Sequence, residues 1–224
     1  MIYVVRQPEP TLPEYDFNRD VRQRGKDMIR QRAGLEPNYG PWRGQKIKKK
    51  VDSIGAITKE MVREFAYWTR AMPALYKAYH GICAYDARYI ELIDNPTTDH
   101  FVPLDSDIHK AHDWHNYRLA GSRANSLKSD KDVLDPFLIK DGWFAIDLYT
   151  YKTIVGPKAP PTRRKSILAT IKILKLDGTD LTGHRTRQAR LYFAGKMTFS
   201  LFRQEEPFLA NEIRRLGALL KTDR

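Results

Sequence analysis

Two polar stretches, a few residues apart, contain most of the side chains that could do chemistry. The first, TTDHFVPLDSD (residues 97–107), places Asp99 beside His100 in a β-prone run interrupted by a proline. The second, HDWHNYRLAGSRANSLKSD (residues 112–130), contains Asn116 and Asn125. Carboxylate and amide oxygens bind hard divalent cations, and an imidazole is a common general base near neutral pH. Together the stretches predict a site that holds a metal ion against a phosphate.

Hydrolysis of a phosphodiester explains why these residue types occur together. The reaction needs a nucleophile, neutralisation of the phosphate charge and stabilisation of the leaving oxygen. A cation held by Asp99 and the amide of Asn125 could contact both the phosphate and the leaving group. His100, beside the metal but not bound to it, could accept a proton from water if a hydrogen bond to its other ring nitrogen fixes the tautomer.

The surrounding pattern predicts the elements that would position this site. A strand is expected to end at Asp99 and His100, and a second strand to begin at Trp114 and continue through residue 120. A turn at residues 121–123 then leads into a helix that carries Asn125. The order strand, strand, helix would bring the oxygen ligands and the imidazole to one place.

The two stretches together resemble the HNH (ββα-metal) endonuclease family, whose pattern runs Asp-His, then Trp-x-Asn-Leu, then Cys-Asn-x-x-Lys. The resemblance implies that Asp99 and Asn125 bind the metal and that His100 is the general base. It implies that Asn116 braces the loop carrying the histidine, and it matches Lys128 to the trailing lysine of the family.

A wider resemblance covers about residues 65–190. YHGICAYDARYIEL (residues 79–92) and ILATIKILKLDGTDLTGHRTRQA (residues 167–189) are similar to segments of the HNH subfamily of Septu-type and retron-type anti-phage systems. That resemblance implies DNA cleavage in bacterial antiviral defence, often alongside a regulatory ATPase.

The chain departs from this subfamily at two Cys-x-x-Cys pairs that bind structural zinc in many relatives. Those positions are filled here by Cys83 and Asp86, then by Gly121 and Ala124. A tetrahedral cysteine site cannot form from these residues, so no structural zinc is expected. Packing of three aromatic residues is expected to hold the module instead: Phe101, Trp114 and Tyr117. His109 and His112 have no family role and are expected to be exposed or capping.

Basic residues indicate a polyanionic partner. Lys and Arg number 39 against 27 Asp and Glu, a formal charge of +12, which favours nucleic acid or an anionic surface. In the basic stretch 18–50, residues 20–32 can form a charged helix, and KIKKK (residues 46–50) could contact phosphates through Lys48, Lys49 and Lys50. A solvated arm that binds nothing in particular is the alternative.

Other cations flank the motif. Arg118, Arg123 and Lys128 could neutralise neighbouring phosphates, or could form the solvated side of a strand and a helix. Arg185, Arg187 and Arg190 lie close together in a predicted helix, which favours contact with a DNA backbone over pairing with internal acids.

The predicted fold is α+β, mostly helical around a small ββα-metal module. Its expected parts are a basic arm (residues 1–56), a helix plus the nuclease module (57–140) and a helical segment packing on it (141–224). Apolar spacings of three and four between Ile57 and Tyr79 predict a helix capped near Thr58 and kinked or divided by Pro73. A strand is expected within residues 142–151 and a final helix over about 206–221.

The leading hypothesis is a metal-dependent endonuclease that hydrolyses DNA with Mg²⁺ or Mn²⁺. An RNA-cleaving toxin of the same family, a catalytically silent nucleic-acid-binding module and a structural subunit are the alternatives. The single cysteine and the absence of a signal-peptide pattern or a membrane-length apolar run predict a cytoplasmic protein with no membrane partner.

Overall fold

A computed structural model describes residues 1–11, 14–42 and 47–223. Across these residues the chain is α+β, with eight α-helices and two small antiparallel two-stranded sheets. The helices are α1 (Arg24–Arg32), α2 (Lys59–Arg63), α3 (Met72–Ala78), α4 (Ser122–Lys128), α5 (Arg164–Ile173), α6 (Thr179–Phe193), α7 (Phe199–Glu205) and α8 (Pro207–Arg215). The strands are β1 (Pro96–His100), β2 (Tyr117–Gly121), β3 (Phe144–Ile146) and β4 (Thr153–Val155). Lys46, in the predicted phosphate-contacting run, lies outside the described residues.

The chain divides into two compact units. The arm unit comprises Arg6–Tyr79 and Pro96–Leu119, and the C-terminal unit comprises Met1–Val5, His80–Asn95 and Ala120–Arg224. The strand pair β1–β2 lies mainly in the arm unit, whereas α4 lies in the C-terminal unit. The three-part division with bounds at residues 56 and 140 stays a prediction.

The basic segment of the arm unit is helical, as its sequence predicts. A π-helix (Asn18–Gln23) leads directly into α1, and both bury an apolar side chain, Val21 in the first and Met28 in the second. The carboxylate of Asp27 is also fully buried, and four N–H groups of the following loop donate to it. These donors are the backbone N–H groups of Asn38, Tyr39 and Gly40 and the indole of Trp42, at 2.7–3.0 Å. Asp27 therefore anchors that loop to α1.

The apolar segment between Ile57 and Tyr79 is not one helix kinked at Pro73. Thr58 caps α2 as predicted, because its hydroxyl accepts the N–H of Met61. The helix ends at Arg63, and a 3-10 helix (Tyr67–Ala71) then leads into α3. Pro73 lies in the first turn of α3, where the missing N–H of proline breaks no helical hydrogen bond. The break therefore precedes the proline by several residues.

Aromatic packing is prominent in the core of the arm unit. The ring of Phe17 makes edge contacts with Trp114 and Tyr117, with ring centroids 5.4 and 5.8 Å apart. All three side chains are buried. The indole N–H of Trp114 donates to the carbonyl of Gln7 at 3.0 Å. Trp114 and Tyr117 thus pack as predicted, and the N-terminal segment supplies the third ring.

The C-terminal unit is built from α4 to α8 and the hairpin β3–β4, whose register pairs Ala145 with Ile154. The strand expected within residues 142–151 covers only Phe144–Ile146, and the last α-helix ends at Arg215 rather than near residue 221. Arg185 is buried in this unit, where its guanidinium donates to the carbonyls of Tyr151 and Leu176 at 3.1 Å. Arg185 therefore supports the core and does not face a DNA backbone.

Candidate functional site

The strand pair β1–β2 carries the Asp-His part of the motif. β1 ends at His100, and β2 begins at Tyr117 after a 3-10 helix (Trp114–Asn116) rather than at Trp114. The N–H of Phe101 donates to the carbonyl of Asn116 at 2.8 Å. Successive strand residues point to opposite faces. Asp99 is buried, with 4% of its surface exposed, and His100 is half-buried.

The His100 imidazole is held in a defined orientation. Its Nε2 lies 2.9 Å from the carbonyl oxygen of Ala111, which also accepts the hydroxyl of Tyr117 at 2.7 Å. The ring makes edge contacts with Trp68 and Tyr117, with centroids 5.0 and 5.3 Å apart. A carbonyl oxygen can only accept, so in the neutral ring the proton resides on Nε2 and Nδ1 carries the lone pair. Nδ1 is therefore the nitrogen that can take up a proton.

Asn116 braces the loop between the two strands. Its Oδ1 accepts the N–H of Val102 at 2.8 Å, and its Nδ2 donates to the carbonyls of Val102 and Lys110 at 3.1 Å. One buried side chain thereby ties the start of the loop to its far end. Ala111, whose carbonyl holds His100, directly follows Lys110 in the chain. The brace therefore fixes the backbone that orients the imidazole.

The cations predicted to flank the site are largely engaged within the protein. Arg118 is 2% exposed, donates to the carbonyls of His115 and Tyr117 at 2.9 Å, and stacks on the ring of Phe101. This burial indicates a structural role for Arg118 rather than contact with a phosphate.

The remaining motif residues lie in the C-terminal unit. Arg123 forms a two-pronged ion pair with Asp180 and lowers the pKa of that carboxyl. Lys128 is fully buried, and Asn125 is half-buried near the middle of α4. α4 follows β2 without the expected turn. The elements follow one another in the predicted order strand, strand, helix.

The lysine run of the arm is exposed but partly paired. Lys49 forms an ion pair with Asp52 at 2.6 Å, and Lys50 pairs with Glu64. Lys48 is exposed, and its carbonyl accepts a hydrogen bond from Arg32 at 3.0 Å. Of the three predicted phosphate contacts, Lys48 is therefore the one with no carboxylate partner in the described part of the chain.

His112 is placed differently from the expectation that it is exposed or capping. It is 3% exposed and lies near the rings of Tyr67 and Trp68, with centroids 6.3 and 6.0 Å away. Its ring faces Gly25 so closely that a Cβ there would lie 2.2 Å from the His112 Cγ. Burial, with a smaller contribution from His100, lowers the pKa of His112 to about 3. His112 is therefore neutral at pH 7.

The surroundings of Cys83 disfavour metal binding by its sulfur. The thiol is buried, and burial followed by the charge of Asp86 raises its pKa to about 12. Metals bind the thiolate, and this thiol stays protonated at neutral pH. Within residues 1–11, 14–42 and 47–223, no group of three or more His, Cys, Asp or Glu side chains could hold a metal ion.

Comparisons with known protein families, curated proteins and solved structures find no match to this chain. In the described residues no helix has both the length and the apolar character required to cross a bilayer.

Proposed function

We propose that the protein is a metal-dependent HNH-type endonuclease that hydrolyses phosphodiester bonds, with His100 as the general base. The observation that carries this proposal is the brace made by Asn116. A side chain that ties Val102 to Lys110 fixes the loop whose Ala111 carbonyl orients His100. That is the role the family resemblance assigns to this asparagine.

The orientation of His100 suits proton abstraction. Nδ1 would take a proton from a water molecule as the water oxygen bonds to phosphorus and the bond to the leaving oxygen breaks. The resulting imidazolium keeps its Nε2–H hydrogen bond to Ala111, which disperses the new positive charge. The hydroxyl of Tyr117 donates to the same carbonyl oxygen. Because a carbonyl oxygen can accept two hydrogen bonds, this bond does not displace the one from His100.

The donor set is of the type that Mg²⁺ or Mn²⁺ needs. Asp99 supplies a carboxylate from the strand that carries His100, and the motif assigns the second protein ligand to Asn125. Such ions are often bound by one or two protein ligands, with water and phosphate oxygens completing the shell. A bound ion would neutralise charge on the phosphate and stabilise the leaving oxygen.

The resemblance extends this proposal to DNA as substrate, a regulatory ATPase as partner and cytoplasmic anti-phage defence as the biological role. The formal charge of +12 supports a polyanionic substrate. Arg187, Arg190 and Lys48 are exposed and could contact its backbone.

Cleavage of supercoiled plasmid by purified protein tests the proposal, with Mg²⁺, Mn²⁺ or EDTA and with a single-stranded RNA in parallel. His100→Ala is compared with His115→Ala, which removes an exposed histidine of the same loop. We expect nicking or linearisation that needs the metal, is lost in His100→Ala and persists in His115→Ala. Cleavage of RNA alone would redirect the proposal to an RNA substrate, and equal rates for the two variants would contradict it.

A further inference from the structure

The arm unit contains a pocket that the proposed catalytic groups do not use. It has a volume of about 490 Å³ and is lined by α1, the loop after it, a 3-10 helix (Ile54–Ala56) and the loop between β1 and β2. Pockets for small ligands usually measure about 300–1,000 Å³. All of its lining residues belong to the arm unit, so this unit alone forms the pocket.

Two cations of α1 line the pocket without a carboxylate partner among the described residues. Lys26 is exposed, and the guanidinium of Arg30 donates to the carbonyl of Glu36 at 2.8 Å, which leaves its charge uncompensated. Residues four apart lie on the same face of a helix, so these cations are neighbours. Arg22, one turn earlier, is neutralised by an ion pair with Glu9. The one carboxylate of the lining, Asp113, accepts the N–H of His115 at 3.0 Å.

The rest of the lining is apolar or offers hydrogen bonds to neutral groups. Ile29 and Ile54 contribute apolar surface, and Asn38 contributes an amide. His112 also lines the pocket, and its Nε2 is buried with no hydrogen-bond partner in the described structure. A buried polar atom without a partner is unfavourable, and a ligand group that bonds to it relieves that cost.

We propose that this pocket binds a nucleotide, with the phosphate at Lys26 and Arg30 and the base between the apolar walls, where its polar edge meets Asn38 and His112. The two charges match an anionic group, and the neutral imidazole and amide match a heteroaromatic ring with its own donors and acceptors. The ligand is either a free nucleotide or the terminal nucleotide of a strand. The inference goes beyond the proposed nuclease activity and does not depend on it.

Ligand binding in the pocket also has a direct route to His100. His112 follows Ala111, the residue whose carbonyl holds the His100 imidazole. The indole of Trp68 contacts both histidine rings. A nucleotide that contacts His112 would therefore stabilise the backbone that orients the general base.

Calorimetry on the full chain in EDTA tests the pocket without turnover. The probes are the four deoxynucleoside monophosphates, a deoxynucleoside, inorganic phosphate, and a short single-stranded DNA with and without a 5′-phosphate. The double variant Lys26→Ala/Arg30→Ala is compared with Lys77→Ala, an exposed lysine of the same unit outside the pocket. His112→Phe keeps an aromatic side chain at this position and removes both imidazole nitrogens, including Nε2.

We expect at least one monophosphate to bind more tightly than either the nucleoside or phosphate. The double variant should weaken it by about tenfold or more, since each hydrogen bond to a charged group contributes about 1.5–3 kcal/mol, which is about ten- to a hundredfold. Lys77→Ala should bind as wild type, and His112→Phe should bind more weakly. Tighter binding of the 5′-phosphorylated strand than of any mononucleotide identifies a strand end as the ligand, and the reverse identifies a free nucleotide.

Three results would overturn the proposal. The first is a dissociation constant above about 1 mM for every probe. The second is equal affinity for phosphate and every monophosphate, and the third is unchanged affinity in the double variant. Because no metal is present and no cleavage is scored, none of them depends on whether the protein is a nuclease.

Discussion

Replacing His112 with phenylalanine should change how the stability of the protein depends on pH. His112 is 3% exposed, and burial lowers its pKa from 6.5 to about 3. Below pH 6.5 the imidazole of His112 is therefore protonated in the unfolded chain but stays neutral in the folded protein. The free energy of unfolding should fall as the pH drops from about 6.5 towards 3, and phenylalanine should remove that contribution.

The size of the effect follows from the difference between the two pKa values. A pH of 5 is about 1.5 units below the pKa of the unfolded histidine, which is therefore protonated, whereas the folded histidine is still neutral. Each unit of this difference corresponds to about 1.36 kcal/mol. Between pH 7 and pH 5 the free energy of unfolding of wild type should therefore fall by about 2 kcal/mol more than that of His112→Phe. At pH 7 the variant removes a buried nitrogen without a partner but places a larger ring against Gly25, so its stability should lie within about 3 kcal/mol of wild type.

Urea unfolding of the two proteins at pH 7, 6, 5 and 4 measures this difference, since titrating groups that do not interact with His112 contribute equally to both curves. His115→Ala, which removes an exposed histidine from the same loop, is the control and should follow the wild-type curve. If the wild-type and His112→Phe curves run parallel within about 0.5 kcal/mol, the imidazole is not excluded from protonation and the burial argument fails.

Two further substitutions test the packing around the site. Gly25→Ala places a Cβ 2.2 Å from the His112 Cγ and should cost about 1–3 kcal/mol in urea unfolding. Gly55→Ala meets no atom within 4 Å and should cost under about 0.5 kcal/mol, and equal costs would refute the contact. Asn116→Ala removes three hydrogen bonds to Val102 and Lys110 and should cost about 2–4 kcal/mol. Its cleavage rate should fall by about tenfold to a hundredfold through misplacement of the general base, and an unchanged rate would show that the brace has no effect on catalysis.

Local sequence signals predict several elements correctly because their causes lie within a few residues. Thr58 caps α2 through a hydroxyl three residues from its partner, and the strand at Pro96–His100 follows from a β-prone run. The basic helix around α1 is likewise present. Asn116 ties Val102 to Lys110, and its effect on catalysis stays a prediction.

Other features depend on contacts that sequence spacing does not reveal. His112 lies in a polar, histidine-rich run that reads as exposed, and its burial depends on the missing side chain of Gly25, far away in the chain. The Ala111 carbonyl, which orients His100, is a backbone atom and leaves no signature in the sequence. Arg118 and Lys128 look like phosphate contacts beside the motif, yet both are buried. A basic residue in the sequence therefore indicates a phosphate contact only when its side chain reaches the protein surface.

The rate of DNA cleavage by His100→Ala, relative to wild type at saturating Mg²⁺, tests the central claim most directly. The variant should cleave about 10²- to 10⁴-fold more slowly while its affinity for DNA stays near wild type, because the proton acceptor is lost. Its unfolding midpoint should fall, because the substitution also removes the hydrogen bond to Ala111 and the ring contacts with Trp68 and Tyr117, so the two rates are compared at a temperature where both proteins are folded. Cleavage by His100→Ala at the wild-type rate would contradict the assignment of His100 as general base, and with it the proposed function.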